Sequence, residues 1–102
     1  MGRAQGVLRE KVIDDDGNIT EFAIWAVPGR EGESPRIRYR LAFVRRGERS
    51  PAVLYDNHEP KGHHRHVEGI EEPYAFLDVD RLLADFAADV KRLAGGITWR
   101  GR

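Results

Sequence analysis

The sequence predicts an α+β fold, a four-stranded antiparallel meander sheet packed by one carboxyl-terminal helix. Four segments rich in β-branched and aromatic residues come first, and one amphipathic segment with helical spacing follows. Short polar loops separate the four segments, which favours antiparallel neighbours over a parallel sheet. The chain has 102 residues, the length of one domain. We therefore expect one domain over residues 1–102, with frayed ends at 1–5 and at 97–102, where a short edge strand is the alternative.

The first two predicted strands, residues 7–13 and 19–27, flank a turn at residues 14–18. The turn contains Asp-Gly-Asn, residue types that tolerate positive φ, so the pair predicts a β-hairpin. Its register stays open because different loop lengths pair different apolar residues equally well. Residues 28–35 contain two glycines and two prolines and no apolar residue, which indicates a loop.

The third predicted strand has the clearest pattern, because apolar and basic residues alternate strictly. The apolar set is Ile37, Tyr39, Leu41 and Phe43, and the basic set is Arg36, Arg38 and Arg40. A period of two places the apolar set on one face of the sheet and the arginines on the other. A short fourth strand at residues 52–55 follows Pro51, which is tolerated at the start of a strand.

A polar segment from Asp56 to Pro73 is expected to connect the fourth strand to the helix. Asp78 is a suitable N-cap, and Lys91 and Arg92 suit the last turn. Gly95-Gly96 supplies the stop signal. The apolar residues that follow the N-cap at helical spacing are Val79, Leu82, Leu83, Phe86, Val90 and Leu93.

Composition excludes several classes of chemistry. The chain has no cysteine, so disulfides, thiolate nucleophiles and cysteine-based metal sites are excluded. No apolar run reaches the length of a membrane span or forms a signal sequence, so we expect a cytoplasmic protein without membrane contact. No phosphate-binding loop or dinucleotide fingerprint occurs, and the chain is too short for most cofactor-binding folds. We expect no cofactor.

All four histidines lie within nine residues, at positions 58, 63, 64 and 66. One interpretation makes them solvated side chains or side chains that fasten a loop to the sheet. A second makes two of them the general base and general acid acting on a ribose-phosphate. In a third, His66 binds a divalent metal together with His63 or His64 and with Asp56 or Glu68. The spacing of the residues leaves these alternatives open.

The arginines of the third strand have two interpretations as well. They form a solvated sheet surface with acidic partners on neighbouring strands, or they contact RNA phosphates or an acidic protein segment. Salt dependence distinguishes the two kinds of partner, because binding to phosphate weakens steeply as salt rises.

The residues around the histidines resemble the TumE-like toxin family of bacterial and archaeal toxin–antitoxin modules. The resemblance covers residues 55–90 and comprises Tyr55-Asp56-Asn57, His63-His64-Arg65-His66, Gly69, Glu71-Glu72-Pro73-Tyr74, Phe76, Asp85-Phe86 and Asp89-Val90. The short spacer at 58–62 departs from the family pattern, so no role is carried over to His58. The resemblance implies a small cytoplasmic toxin encoded beside a DNA-binding antitoxin of the helix-turn-helix type. It further implies RNA or the translation machinery as the target.

Our leading hypothesis is a toxin that acts as a metal-independent endoribonuclease or translation inhibitor. His64 and His66 transfer protons, Asp56 orients one imidazole, and Arg65 or Arg40 holds the phosphate. The predicted catalytic residues are His64, His66, Asp56, Arg65 and Tyr55, and the predicted substrate-binding residues are Arg36, Arg38, Arg40, Lys61 and Asn57. One alternative is a non-enzymatic module that binds protein or RNA through the sheet face or an edge strand. The other is a metal-dependent nuclease built on the histidines.

Overall fold

The computed structural model describes residues 5–57 and 62–94. These residues form six strands and one helix: β1 (Gln5–Ile13), β2 (Ile19–Val27), β3 (Arg36–Val44), β4 (Val53–Asp56), β5 (His64–Val67), β6 (Ile70–Pro73) and α1 (Val79–Ala94). The strands make one sheet in sequence order, and every neighbouring pair is antiparallel. The predicted α+β class and antiparallel meander are confirmed. The predicted number of four strands is wrong, because the sheet has six.

The two additional strands lie in the polar segment that the sequence assigned to a connection. β5 pairs with β4 from Val53↔Val67 to Asp56↔His64, and β6 pairs with β5. Glu68 and Gly69 connect them with φ of 51° and 83°. Positive φ at both central residues gives the tight turn whose twist suits a hairpin. The hairpin escaped prediction because its strands carry charged residues and imidazoles instead of alternating apolar ones.

The other elements agree with the predictions. Asp14 Oδ1 accepts hydrogen bonds from the backbone N–H groups of Asp16 and Asn18, both at 2.9 Å, and this orders the first hairpin turn. Asp78 Oδ1 accepts a hydrogen bond from the N–H of Arg81 at 2.8 Å, as an N-cap does. The predicted stop at residues 95–96 and the predicted frayed end at 97–102 lie outside the described residues. Of the predicted frayed end at 1–5, residues 1–4 lie outside them as well, and Gln5 is the first residue of β1.

The hydrophobic core lies between α1 and one face of the sheet. Leu82, Phe86 and Val90 of the helix have no exposed surface. Their partners on the sheet are Ile24, Tyr39, Leu41, Phe43, Val53 and Tyr55, all 1% exposed or less. At roughly 1.5–3 kcal/mol for each large apolar side chain, this burial holds the helix on the sheet. The helix lacks the length and apolar content that a membrane span requires.

The opposite face of the sheet, which we call the open face, is not covered by another element of the described chain. Strand alternation and register assign its side chains. They are Arg9, Lys11, Glu21, Ala23, Trp25, Arg36, Arg38, Arg40, Ala42, Leu54, Asp56, His64, His66 and Glu71. The open face therefore carries both the arginines of β3 and two of the histidines.

Candidate active site

Strand register brings two histidines and two carboxylates together at one end of the open face. Asp56 lies opposite His64 in the β4–β5 pair, and Glu71 lies opposite His66 in the β5–β6 pair. His64 and His66 are two residues apart on one strand, so their side chains project from the same face. We refer to Asp56, His64, His66 and Glu71 as the histidine cluster.

His64 is held in the cluster through both ring nitrogens. Its Nδ1 lies 3.0 Å from the carbonyl oxygen of Gly62, and its Nε2 lies 2.8 Å from Asp56 Oδ1. A carbonyl oxygen only accepts hydrogen bonds, so Nδ1 carries a hydrogen and donates it. The lone pair of a neutral Nε2 would then face a carboxylate oxygen, which is repulsive. A proton shared between the two atoms, or a cation beside them, relieves this repulsion.

The Asp56 oxygen at this contact is not saturated by hydrogen bonds. Oδ1 is buried and accepts no hydrogen bond of regular geometry from the described residues. His64 Nε2 is thus close enough to Asp56 Oδ1 for an ion pair, but the angle between the two groups is not that of a strong hydrogen bond.

His66 and Glu71 complete the cluster. The ring centroids of His64 and His66 are 5.1 Å apart with an interplanar angle of 71°. Glu71 Oε2 lies 3.7 Å from His64 Nε2 and 3.8 Å from His66 Nε2. The two imidazoles converge and do not point apart, which is the spatial condition for a proton-transfer pair.

The sheet separates Tyr55 and Arg65 from the histidine cluster. Both side chains project from the face that α1 covers, where Arg65 Nη1 lies 3.1 Å from the Tyr55 hydroxyl and 3.1 Å from Asp89 Oδ2. The Tyr55 hydroxyl donates to Asp89. Burial, together with this bond, raises the pKa of Tyr55, so the phenol stays neutral. These contacts attach the helix to β4 and β5.

His63 is also directed away from the cluster. Its Nδ1 lies 2.9 Å from the Tyr39 hydroxyl, and its ring stacks on Phe76 at 5.1 Å and 10°. Burial lowers the pKa of His63 and raises the pKa of Tyr39. Both groups are therefore neutral, and the tautomer of the imidazole sets which of them donates the hydrogen bond. The hypothesis that pairs His63 with His66 at a metal finds no geometric support, and Glu68 is bound to Arg45 at 3.1 Å.

The predicted substrate-binding residues do not all lie in one place on the open face. Arg38 and Arg40 line a concavity of about 360 Å³ with Trp25 and Asp56. Asn57 lines it too, but its Oδ1 accepts from the N–H of Tyr39 at 2.9 Å, and its Nδ2 donates to the carbonyl of Ile37 at 2.7 Å. The side-chain amide of Asn57 therefore satisfies backbone hydrogen-bonding groups of β3. Arg36 is exposed near the edge of the open face, while Lys61 and His58 lie outside the described residues.

Three basic or aromatic residues of the open face were not predicted. Arg9, Lys11 and Trp25 line a second concavity of about 560 Å³ together with Arg40. Trp25 borders both concavities. The alternation of polar and apolar residues in β1 and β2 assigns these three residues to the open face only when the register of the β1–β2 hairpin is known. Glu71 was missed because its position opposite His66 depends on the hairpin that the sequence did not reveal.

The structure is that of a small α+β protein in which two imidazoles and two carboxylates lie at the end of an arginine-bearing sheet face, and no other described element covers that face. The sequence matches the family described as toxin TumE over residues 2–94. The chain belongs to this family, so the resemblance is confirmed and extends into the amino-terminal half. Membership indicates the toxin component of a toxin–antitoxin module and implies an antitoxin as partner. A search of curated proteins and a search of solved structures found no match.

Proposed function

We propose that this toxin is a metal-independent endoribonuclease whose active site is the histidine cluster. The proposal rests on one observation: His64 and His66 converge beside Asp56 on the same face as Arg38 and Arg40. Two imidazoles can take and give a proton near neutral pH, and guanidinium groups are suited to phosphate.

In the proposed reaction, His66 is the general base and His64 the general acid. His66 takes the proton of a ribose 2′-hydroxyl, whose oxygen attacks the adjacent phosphorus. The bond from phosphorus to the 5′-oxygen breaks, and this oxygen receives the Nε2 proton of His64. The products are a 2′,3′-cyclic phosphate and a 5′-hydroxyl. Asp56 supports the charged form of His64, and Arg40 stabilises the charge on the phosphate.

The open face supplies a path for single-stranded RNA. Trp25 is on β2 and His64 on β5, three strand spacings apart, which is roughly 14 Å at about 4.8 Å for each spacing. Aromatic side chains on an open sheet stack with unpaired bases, and arginines between them contact the backbone. Arg38 and Arg40 lie between Trp25 and the cluster. Of the two arginines offered as phosphate clamp, this geometry favours Arg40 over Arg65.

The first test is growth inhibition by the double variant His64→Ala/His66→Ala, expressed at the same protein level as wild type. We expect toxicity to disappear, because the base and the acid are both removed; loss of one such group typically costs about 10²–10⁴ in rate. His63→Ala is the matched control, since it removes a neighbouring imidazole outside the cluster, and it should remain toxic.

Cleavage of RNA by the purified protein tests metal independence. Activity should persist in a chelator and disappear in the double variant. Toxicity that persists in the double variant but is lost in Arg38→Ala/Arg40→Ala would favour the non-enzymatic binding module. Activity that a chelator abolishes and a metal restores would favour the metal-dependent nuclease.

We also infer that the antitoxin is a DNA-binding protein of the helix-turn-helix type and that the toxin acts on RNA in the cytoplasm. The support is family membership together with the basic open face. A neighbouring reading frame that encodes a helix-turn-helix protein, and that suppresses toxicity when it is co-expressed, is the expected result. An antitoxin without a DNA-binding fold would contradict the inference about its type.

A further inference from the structure

The histidine cluster combines two carboxylates with two imidazoles on one face of the sheet. One nitrogen of His64, one nitrogen of His66 and one oxygen of Glu71 all lie within 4.8 Å of one another. Asp56 Oδ1, buried and without a regular hydrogen bond from the described residues, lies 2.8 Å from the same His64 nitrogen. A proton on Nε2 satisfies this arrangement, and so does a metal ion.

We propose that His64, His66 and Glu71, with Asp56 as the fourth ligand, bind a divalent transition-metal ion such as Zn²⁺, which inhibits the toxin by occupying the ring nitrogens that the proposed reaction uses. The inhibitory part rests on the proposed ribonuclease function. The binding part depends only on the geometry of the cluster. Metal and proton compete for the same nitrogen, because an imidazole binds a metal only through an unprotonated lone pair.

The distances in the cluster fit a small tetrahedral ion. Zn²⁺ takes ligands at about 2.0–2.1 Å, which places tetrahedral ligand atoms roughly 3.3 Å apart. Glu71 Oε2 is 3.7 Å from one imidazole nitrogen and 3.8 Å from the other. All three ligand atoms lie within 4.8 Å of one another, so they must close by up to roughly 1.5 Å to reach tetrahedral spacing. The side chains of His66 and Glu71 are 29% and 36% exposed, and their rotation can bring this about.

A second observation concerns the outer contact of His64. Its Nδ1 donates to the carbonyl of Gly62 at 3.0 Å. Histidine ligands of metals almost always donate their other ring N–H to a carbonyl or carboxylate, which fixes the ring and leaves the opposite nitrogen to the metal. His64 is nearly buried and already oriented in this way, with Nε2 directed toward Asp56 and Glu71.

The donor set selects the class of metal. Two imidazole nitrogens with carboxylate oxygens suit Zn²⁺ and its transition-metal neighbours. Mg²⁺ and Ca²⁺ prefer all-oxygen ligands and more of them. We therefore expect Zn²⁺ to bind and Mg²⁺ at the same concentration to have no effect.

The binding test is a titration of metal-free protein with Zn²⁺ against a chromophoric chelator. One ion should bind to each chain, and His66→Ala and Glu71→Gln should each weaken binding at least tenfold, because each removes a ligand atom. His63→Ala is the matched control and should bind like wild type. Equal affinity in all four proteins, or an equal loss in the control, would overturn the site.

The inhibition test uses the same protein with RNA as substrate. Cleavage should fall as Zn²⁺ rises, with a midpoint at the dissociation constant from the titration, and a chelator should restore it. Zinc that increases cleavage would overturn the inhibitory role. A protein that binds zinc at the cluster but cleaves no RNA under any condition would refute the ribonuclease proposal and leave the metal site established.

Discussion

Asp89 is a charged residue of α1 whose side chain is buried against the sheet and is only 2% exposed. Its carboxylate accepts from the Tyr55 hydroxyl and from Arg65 Nη1, and it pairs with Arg92 on its own helix. Because Arg65 lies between His64 and His66 on β5, the carboxylate connects the helix directly to the strand of the histidine cluster. Arg65 and Tyr55 thus have a structural role in this fold.

Asp89→Ala should destabilise the protein by about 3 kcal/mol, since removing one partner of a buried charged pair leaves the other uncompensated. Urea unfolding followed by circular dichroism measures the change. Asp80→Ala, an exposed acidic residue on the same helix, should cost less than about 1 kcal/mol. Similar losses in the two variants would show that the buried contacts contribute little.

Strand alternation also explains why five predicted catalytic residues divide between two faces. Tyr55 and Asp56 are adjacent on β4, and Arg65 sits between the two histidines on β5. A period of two sends adjacent side chains to opposite faces. For Tyr55 and Asp56 the sequence already contained this constraint, whereas for Arg65 it became visible only once β5 was known to be a strand.

The β5–β6 hairpin is the element on which the cluster depends. All four residues of β6 are exposed, so little apolar burial supports this edge strand. Its position is determined by backbone pairing, by the Glu68-Gly69 turn and by the bond from Arg65 Nε to Glu72 at 2.5 Å. The turn therefore controls whether Glu71 faces His66.

Gly69→Ala should destabilise the hairpin by about 1–2 kcal/mol, because φ of 83° is unfavourable for a residue with a Cβ. Apart from the adjacent residues, no described atom lies within 4 Å of the added carbon, so the expected cost is backbone strain. Amide hydrogen exchange of β5 and β6 measures the effect locally. Gly69→Asn is the matched variant, since asparagine tolerates this conformation, and it should retain most of the protection. Equal exchange in both variants would contradict the assigned role of the turn.

Across the whole molecule, the two faces of the sheet differ in the side chains that they carry. One face is covered by the helix and carries the apolar core, while the other carries the cluster, the arginines and Trp25. The formal net charge of zero does not indicate this difference between the two faces. Attraction to a nucleic acid then depends on local charge, which salt screens.

Binding of a single-stranded RNA with 2′-O-methyl groups, which lacks the nucleophile, tests the open face without cleavage. Log affinity should fall with log salt by about 0.7 for each phosphate contacted. Trp25→Ala should cost about 1–3 kcal/mol of stacking. Arg81→Ala, on the helix, is the control and should leave affinity unchanged. Binding that is insensitive to salt and to Trp25 would exclude this face as the RNA site.

The order and type of the strongly patterned elements could be predicted from the amino-acid sequence alone. Alternation in β3 and helical spacing in α1 are local periodicities, and Asp78 and the Asp14 turn act through neighbours in the chain. Such signals can be read without knowing the fold. The family signature around the histidines was visible for the same reason, since it is a local string of residues.

Which residues share a site depends on how the strands pair in the folded protein. β5 and β6 have no apolar alternation, so their formation depends on pairing with β4. Whether His63 or His64 lies beside His66 depends on the direction in which each side chain projects from the sheet. Strand register places side chains from distant positions side by side, so Glu71 lies in the histidine cluster. For the same reason, Tyr55 and Arg65 lie on the opposite face of the sheet. Register is a property of the assembled sheet, and a one-residue shift would send every side chain to the other face.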